Sequence, residues 1–171
     1  MTEFTIKPAD IDLHTGQVRE LIQKLNEHLK LPKLVASEDQ LKSDLRQRHC
    51  HSLVAVKAGS DFVIGHILYC YGYSTCATVG RWIGRFIYME DIYVIDEYRH
   101  AGVGTALWAA LSKIATDQSI VRIEWRVLNW NTDAINFYKK HGAVNVQETE
   151  GDLTYRLTHE SIEKLAQRCA I

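Results

Sequence analysis

The segment Arg85–Val94 constrains the fold of this chain more than any other. Its apolar residues occupy both odd and even positions, which is typical of a strand covered on both faces. Glu90 and Asp91 nevertheless stand in its middle, and neighbouring side chains of a strand point to opposite faces. Burying an unpaired carboxylate is costly and raises its pKa. We therefore expect the two acids to enter two different environments, either paired with a buried arginine such as Arg126 or serving a function.

Periodicity in the rest of the chain predicts a mixed α/β domain. The predicted strands cover residues 4–8, 52–56, 62–71 and 120–127, with two further candidates around Val144 and Leu153. The predicted helices follow a cap at Asp10 or Asp12 and a capping box at Ser37–Gln40, and cover residues 103–114 and 131–141. No repeat or linker interrupts the sequence, so we expect one domain over residues 1–171.

Composition excludes several classes of protein. Twenty Lys and Arg residues stand against 21 Asp and Glu residues, and this near-neutral balance disfavours nucleic-acid binding. No apolar run is long enough for a membrane span, and the N-terminus lacks a secretory pattern, so we expect a cytoplasmic protein. The four cysteines form no CxxC pair, and His49-Cys50-His51 has no second Cys/His pair at the spacing of a zinc finger. We expect no metal site.

A glycine-rich segment, Tyr98–Leu107, follows the acidic strand and leads into a helix. Gly102 and Gly104 allow a phosphate to approach the backbone, where the free amides and the dipole of a helix start favour an anion. The segment lacks the third glycine or alanine of a dinucleotide fingerprint and the Gly-Lys-Ser/Thr of a P-loop. It therefore fits an anion site of another kind or a purely structural turn.

The segment Asn129–Gly142 predicts a second helix with functional side chains. Asn131 is a good N-cap, and Tyr138 lies seven residues later on the same helical face. Gly142 is a typical helix stop. Tyr138 alone also fits a core aromatic residue with a satisfied hydroxyl.

In combination these motifs resemble the GCN5-related N-acetyltransferase (GNAT) superfamily. Within it, the chain is similar to the spermidine/spermine and thialysine acetyltransferases. The motifs that carry the likeness are Arg99-x-x-Gly102-x-Gly104, Asn136-Phe-Tyr138-x-x-x-Gly142, Tyr88-Met-Glu-Asp-Ile-Tyr-Val94, Glu97-Tyr-Arg99 and Leu128-Asn-Trp-Asn131. The resemblance covers essentially the whole chain. It implies a mixed, mostly antiparallel central sheet that splays at its central strand, with flanking helices.

The resemblance implies acetyl-CoA as the acetyl donor. In the family, the pyrophosphate lies on the arginine-glycine turn, the pantetheine arm follows the acidic strand, and the later helix contacts the coenzyme from the other side. The coenzyme-binding candidates are therefore Ile92, Tyr93, Val94, Arg99, His100, Ala101, Gly102, Val103, Gly104, Thr105, Asn131, Thr132, Asp133, Ala134, Asn136 and Tyr138.

Family positions also suggest two catalytic residues. An alkyl ammonium has a pKa of about 10.4, so only about one molecule in a thousand is neutral and nucleophilic at pH 7. Glu90, with a pKa expected to be raised by burial, matches the position that receives this proton, and Tyr138 matches the family's proton donor to the leaving thiolate. This implies direct transfer through a tetrahedral intermediate, without a metal.

Departures from the polyamine enzymes indicate a shorter acceptor. Two acidic residues of the polyamine enzymes are replaced in this chain by Leu29 and by Gly80, and Arg81 follows Gly80. A tryptophan of those enzymes is replaced by Asp152. Long polycations lose charge partners in such a site, so we expect thialysine, lysine-like amino acids or short diamines. The candidate wall residues are Glu27, His28, Glu90, Glu124, Trp125, Arg126 and Glu150.

Two other functions remain open at this point, and one assembly is implied. The acceptor could be a protein lysine or N-terminus, or the chain could be a non-catalytic acyl-CoA-binding module. The resemblance implies a homodimer, for which the two late strand candidates could provide a pairing edge.

Overall fold

The computed structural model describes residues 3–32, 35–75, 83–151 and 154–168. Its contacts divide the chain into two compact units, Met1–Asn131 and Thr132–Ile171. The first unit contains β1 (Phe4–Pro8), α1 (Ile11–His28), α2 (Glu38–Arg46), β2 (His51–Lys57), β3 (Val63–Ser74), β4 (Gly84–Val94), α3 (Val103–Asp117) and β5 (Ile123–Glu124). The second unit contains α4 (Thr132–Lys140), α5 (Val146–Glu150) and α6 (His159–Ala166).

Five strands form one sheet in the order β1-β2-β3-β4-β5. The first three pairings are antiparallel and the β4–β5 pairing is parallel. The predicted α/β class, with a mixed and mostly antiparallel sheet and flanking helices, is therefore confirmed. β4 is the fourth strand in this order, so it lies one strand away from the middle of the sheet.

Two of the three predictions for the last strands were wrong. The strand expected at residues 120–127 is regular only at Ile123 and Glu124. Val144 lies in an irregular segment before α5, where Asn145 accepts a hydrogen bond from the backbone N–H of Gln147 and caps that helix. Local capping thus favours a helix over the alternating pattern that suggested a strand. Leu153 lies outside the described residues.

Helices α1 and α2 cover one face of the sheet. Of the two alternatives for the first N-cap, Asp10 and not Asp12 is the cap, since it accepts from the N–H groups of Asp12 and Leu13. Ser37 caps α2 as predicted, since it accepts from the N–H of Gln40. The apolar side chains buried between these helices and the sheet are Val18, Leu21, Leu41, Leu45, Val54, Val56, Val63, Tyr93 and Ile95. This core fixes β4 beneath the two helices from Tyr93 onwards.

Helix α3 packs on the other face. Leu107 and Leu111 are fully buried, and a Cβ built on Gly65 would lie 3.3 Å from Leu107 Cδ1 and 2.9 Å from the Tyr93 carbonyl oxygen. Gly65 therefore lets α3 approach the β3–β4 pair closely. Within the described ranges, no helix is both long and apolar enough to cross a bilayer.

Candidate active site

A β-bulge in β4 shapes the position of the two acids. Leu68 of β3 is paired with Asp91 and Tyr69 with Met89, so Glu90 is an extra residue with no partner of its own across the strand. The bulge interrupts the alternation of β4: Ile87 and Met89 share a face with Tyr69, whereas Asp91 and Tyr93 lie on the α1/α2 face.

The bulge gives the two carboxylates different surroundings. Glu90 is exposed, so the expectation that this acid is buried was wrong, because the extra residue is pushed out of the regular pleat. Asp91 is partly buried, and burial together with the negative charge of Glu90 raises the pKa of its carboxyl from 3.8 to about 7. Arg126 forms no ion pair with either acid in the part of the chain that the structure describes. Of the two acids, Asp91 has the raised pKa, and Glu90 has the carboxylate that is exposed to solvent.

The second half of β4 has an open edge. β5 pairs with β4 only at Ile87 and Tyr88, as far as the described residues show. Because the Ile95 N–H bonds to Ile64 of β3, and successive residues of a strand alternate the direction of their polar groups, those of Ile92 and Val94 point away from β3. Apart from the Val94 carbonyl, which accepts from Arg99, these groups can bond to an extended ligand along this edge.

Arg99 ties the following turn to the end of β4. Its Nε donates to the Val94 carbonyl over 3.1 Å, and one of its terminal nitrogens lies 2.8 Å from an oxygen of Asp96. The guanidinium also lies 5.3 Å from the centre of the Tyr93 ring, whose hydroxyl donates to Asp96. The Arg99 side chain thus fixes the turn through protein contacts.

The turn itself has the geometry of an anion site. Gly102, at φ 84°, and His100, at φ 61°, are both left-handed. α3 has no side-chain cap here, and the bond from Ala106 to the Gly102 carbonyl starts the helical ladder, which leaves the amides before Ala106 outside it. A Cβ built on Gly102 meets nothing within 4 Å, so the space above the turn is open. Uncapped amides and the helix dipole favour a phosphate group there.

The candidate wall residues are distributed over several elements. Glu27 and His28 are exposed at the end of α1, where Leu29 is the C-cap. Glu150 ends α5 in the second unit. Gly80, Arg81 and Asp152 lie outside the described residues.

The candidates in and just after β5 differ in what they contact. Glu124 is 2.7 Å from Arg122, so its charge is already paired. Trp125 packs edge-on against Trp108 of α3, with ring centres 4.9 Å apart, which places its ring on the α3 side of the sheet. Arg126 is exposed.

The α4 candidates lie in the second unit, except for Asn131, which directly precedes the helix. Gly142 adopts φ 86° and ends this segment as predicted. Tyr138 is buried, with its ring centre 5.6 Å from that of Phe137, and Asn136 is exposed. Asn136 and Tyr138 therefore lie on different sides of α4.

Comparison with known proteins agrees with this geometry. Residues 17–143 match the Acetyltransferase (GNAT) family. A thialysine N-epsilon-acetyltransferase of Caenorhabditis elegans is 33% identical over 167 residues, which are 97% of this chain and 99% of that protein. The enzyme of the same name from Mus musculus is 35% identical over 162 residues, covering 90% of this chain and 92% of its own length. The chain belongs to the GNAT acetyltransferase family.

A solved structure supports the fold of this GNAT chain. An aminoglycoside N-acetyltransferase in complex with CoA superposes with a TM-score of 0.71 at 19% identity, covering 92% of this chain and 96% of that one. The chain is thus an N-acetyltransferase similar to thialysine acetyltransferases, and enzymes of its family use acetyl-CoA.

Sequence reasoning missed two features of this GNAT domain. It treated Asp91 only as the companion of Glu90, because a bulge depends on how β3 pairs and leaves no local signal. It also left out Arg122, although an arginine and a glutamate two residues apart in a strand share a face and could have indicated the pair with Glu124.

Proposed function

We propose that this GNAT enzyme transfers an acetyl group from acetyl-CoA to the terminal amine of a small molecule, with thialysine, lysine-like amino acids or short diamines as acceptors. The observation that carries the proposal is the near full-length similarity to thialysine acetyltransferases, in a chain that has an acid pair at the β4 bulge. The single domain over 1–171, the homodimer and the cytoplasmic location stay predictions.

Acetyl-CoA supplies the activated acyl group as a thioester. The uncapped amides of the turn at residues 99–105 would hold its phosphates, and the open backbone edge of Ile92 and Val94 would hold its extended arm. The residues assigned from α4 and from Asn131 complete the proposed coenzyme set. Their role rests on family resemblance alone.

Glu90 is the group proposed to meet the acceptor. Its exposed carboxylate can attract the acceptor ammonium and take its proton, directly or through water, which leaves the nitrogen free to attack the thioester carbon. Asp91 next to it ionises near pH 7 and then adds a second negative charge to the pair. Tyr138 is proposed to give its proton to the departing sulfur, whose thiol has a pKa of roughly 8.5.

A panel of acceptors tests this function. Release of the CoA thiol is measured with thialysine, lysine, putrescine, spermidine, spermine and a lysine-containing peptide. We expect the highest kcat/KM for thialysine or another short acceptor, because the acids that would pair with a long polycation are replaced. A kcat/KM for spermine or spermidine well above that for thialysine would restore a polyamine enzyme, and a preference for the peptide would make the chain a protein acetyltransferase.

A further inference from the structure

A partly buried ion pair lies at the start of β5. Arg122 Nε and Glu124 Oε1 are 2.7 Å apart, and the two side chains are only 13% and 31% exposed. The guanidinium also lies over the Phe86 ring, 4.3 Å from its centre. A cation held by both a carboxylate and an aromatic face has little freedom to leave either.

Gly72 of β3 makes room for this arrangement. Gly72 and Phe86 are partners across β3 and β4, and a Cβ built on Gly72 would clash with Cζ of the Phe86 ring. Any larger residue would therefore have to displace the ring on which Arg122 lies. The contacts run across three neighbouring strands and end at Glu124, which distinguishes this pair from an ordinary surface salt bridge.

Strand register places the pair close to the proposed acceptor position. Glu124 is the partner of Tyr88, which lies two residues before Glu90 on β4. Ordinary strand spacings then put the backbones of Glu124 and Glu90 roughly 8 Å apart. This is about one Debye length at physiological ionic strength, so an unpaired charge at Glu124 would still act on a cation at Glu90.

We propose that Arg122 is a specificity-determining positioning residue that cancels the charge of Glu124 and thereby disfavours acceptors with a second cation. The inference rests on the proposed function, because it takes Glu90 as the group that meets the acceptor. The second ammonium of a diamine, the one that does not react, is stabilised by every unpaired acid among the wall residues. The far end of an amino acid is close to neutral, since its α-ammonium stands beside its own carboxylate, and it needs no such acid.

The test uses two acceptors that differ by one carboxylate. Bis(2-aminoethyl) sulfide is thialysine without its carboxyl group, so the ratio of the two kcat/KM values reports the charge preference of the wall. Arg122→Met should raise the ratio of diamine to thialysine about fivefold, through KM, because Glu124 becomes an unpaired acid. Glu124→Gln should lower the same ratio, because it removes a negative charge from the wall while the positive charge of Arg122 stays in place. The double variant should return close to the wild-type ratio.

Lys113→Met is the matched control, because it removes the cation of an exposed pair with Asp117 on α3. It should leave the ratio unchanged, and thermal unfolding of each variant confirms that it is folded. Equal losses for both acceptors, or shifts of the same sign in the two single variants, would show a merely structural pair and overturn the inference. A wild-type enzyme that acetylates neither acceptor would instead contradict the proposed function.

Discussion

The turn at residues 99–105 and the bulge at Glu90 both depart from regular structure around β4, but for different reasons. In the turn, the departure is local: Gly102 adopts φ 84°, a conformation that glycine reaches without steric cost, and an arginine beside it binds the end of the strand. Such a feature can be read from a few consecutive residues.

The bulge, in contrast, is set by a distant strand. Glu90 becomes an extra residue only because β3 pairs with Met89 on one side of it and with Asp91 on the other. The difference teaches that, in this chain, the proposed phosphate site is encoded by neighbours in sequence, whereas the environments of the acids are encoded by pairing between strands. Substitutions at the bulge should therefore change the rate of acetyl transfer, whereas substitutions in the turn should change the affinity for CoA.

The largest effect is expected at the bulge. Glu90→Gln should lower kcat/KM about 100-fold, within the range of general acid-base catalysis, because the exposed proton acceptor is lost. Asp91→Asn should have a smaller effect and should remove the change in rate near pH 7, because the pKa of Asp91 is raised to about 7. Rates from pH 6 to 9 with thialysine measure both.

Asp117→Asn is the control for these variants, since this acid is exposed on α3 and pairs with Lys113. Its pH–rate profile should match that of the wild type. A greater loss in Asp91→Asn than in Glu90→Gln would mean that the partly buried acid, and not the exposed one, takes the proton.

A smaller effect is expected at the turn. Gly102→Val should weaken CoA binding at least tenfold, because a branched residue at φ 84° strains the backbone and its side chain enters the space that a phosphate would use. Isothermal titration with CoA measures this change. Gly59→Val is the matched control: its φ is 72°, nothing lies within 4 Å of the added Cβ, and it stands in the β2–β3 turn. Unchanged CoA affinity in a folded Gly102→Val enzyme would exclude the turn as the phosphate site.

The same contrast explains which parts of the fold could be predicted. The N-caps Asp10 and Ser37 and the helix stop at Gly142 were correct, because capping depends on side chains within a few residues. The late strand around Val144 was wrong, since the cap at Asn145 favours a helix that alternation alone does not reveal.

For the candidate site, sequence identified the residues better than their surroundings. Glu90 and Asp91 were singled out as acids within an apolar strand, but their burial was not predictable, because it depends on the register with Leu68 and Tyr69. Glu124 was named as a candidate wall residue, and the structure pairs its carboxylate with Arg122, which lies over Phe86. Residue type is local information, whereas charge state and exposure depend on what folding brings near.

The smallest expected effect concerns stability at the bulge. In the folded chain, the pKa of Asp91 is raised from 3.8 to about 7, so the folded state holds this proton more tightly than the unfolded state does. Stability from this group is therefore present at low pH and is lost as pH rises from about 4 to about 7. Asp91→Asn removes the titration and should raise the free energy of unfolding at pH 8 by about 1 kcal/mol, with a smaller gain at pH 5. Urea unfolding at the two pH values measures both gains. Equal destabilisation at both pH values would mean that the carboxylate has a favourable partner. The expected gain would show that Asp91 lowers the stability of the fold. Such a cost is common at positions that serve activity.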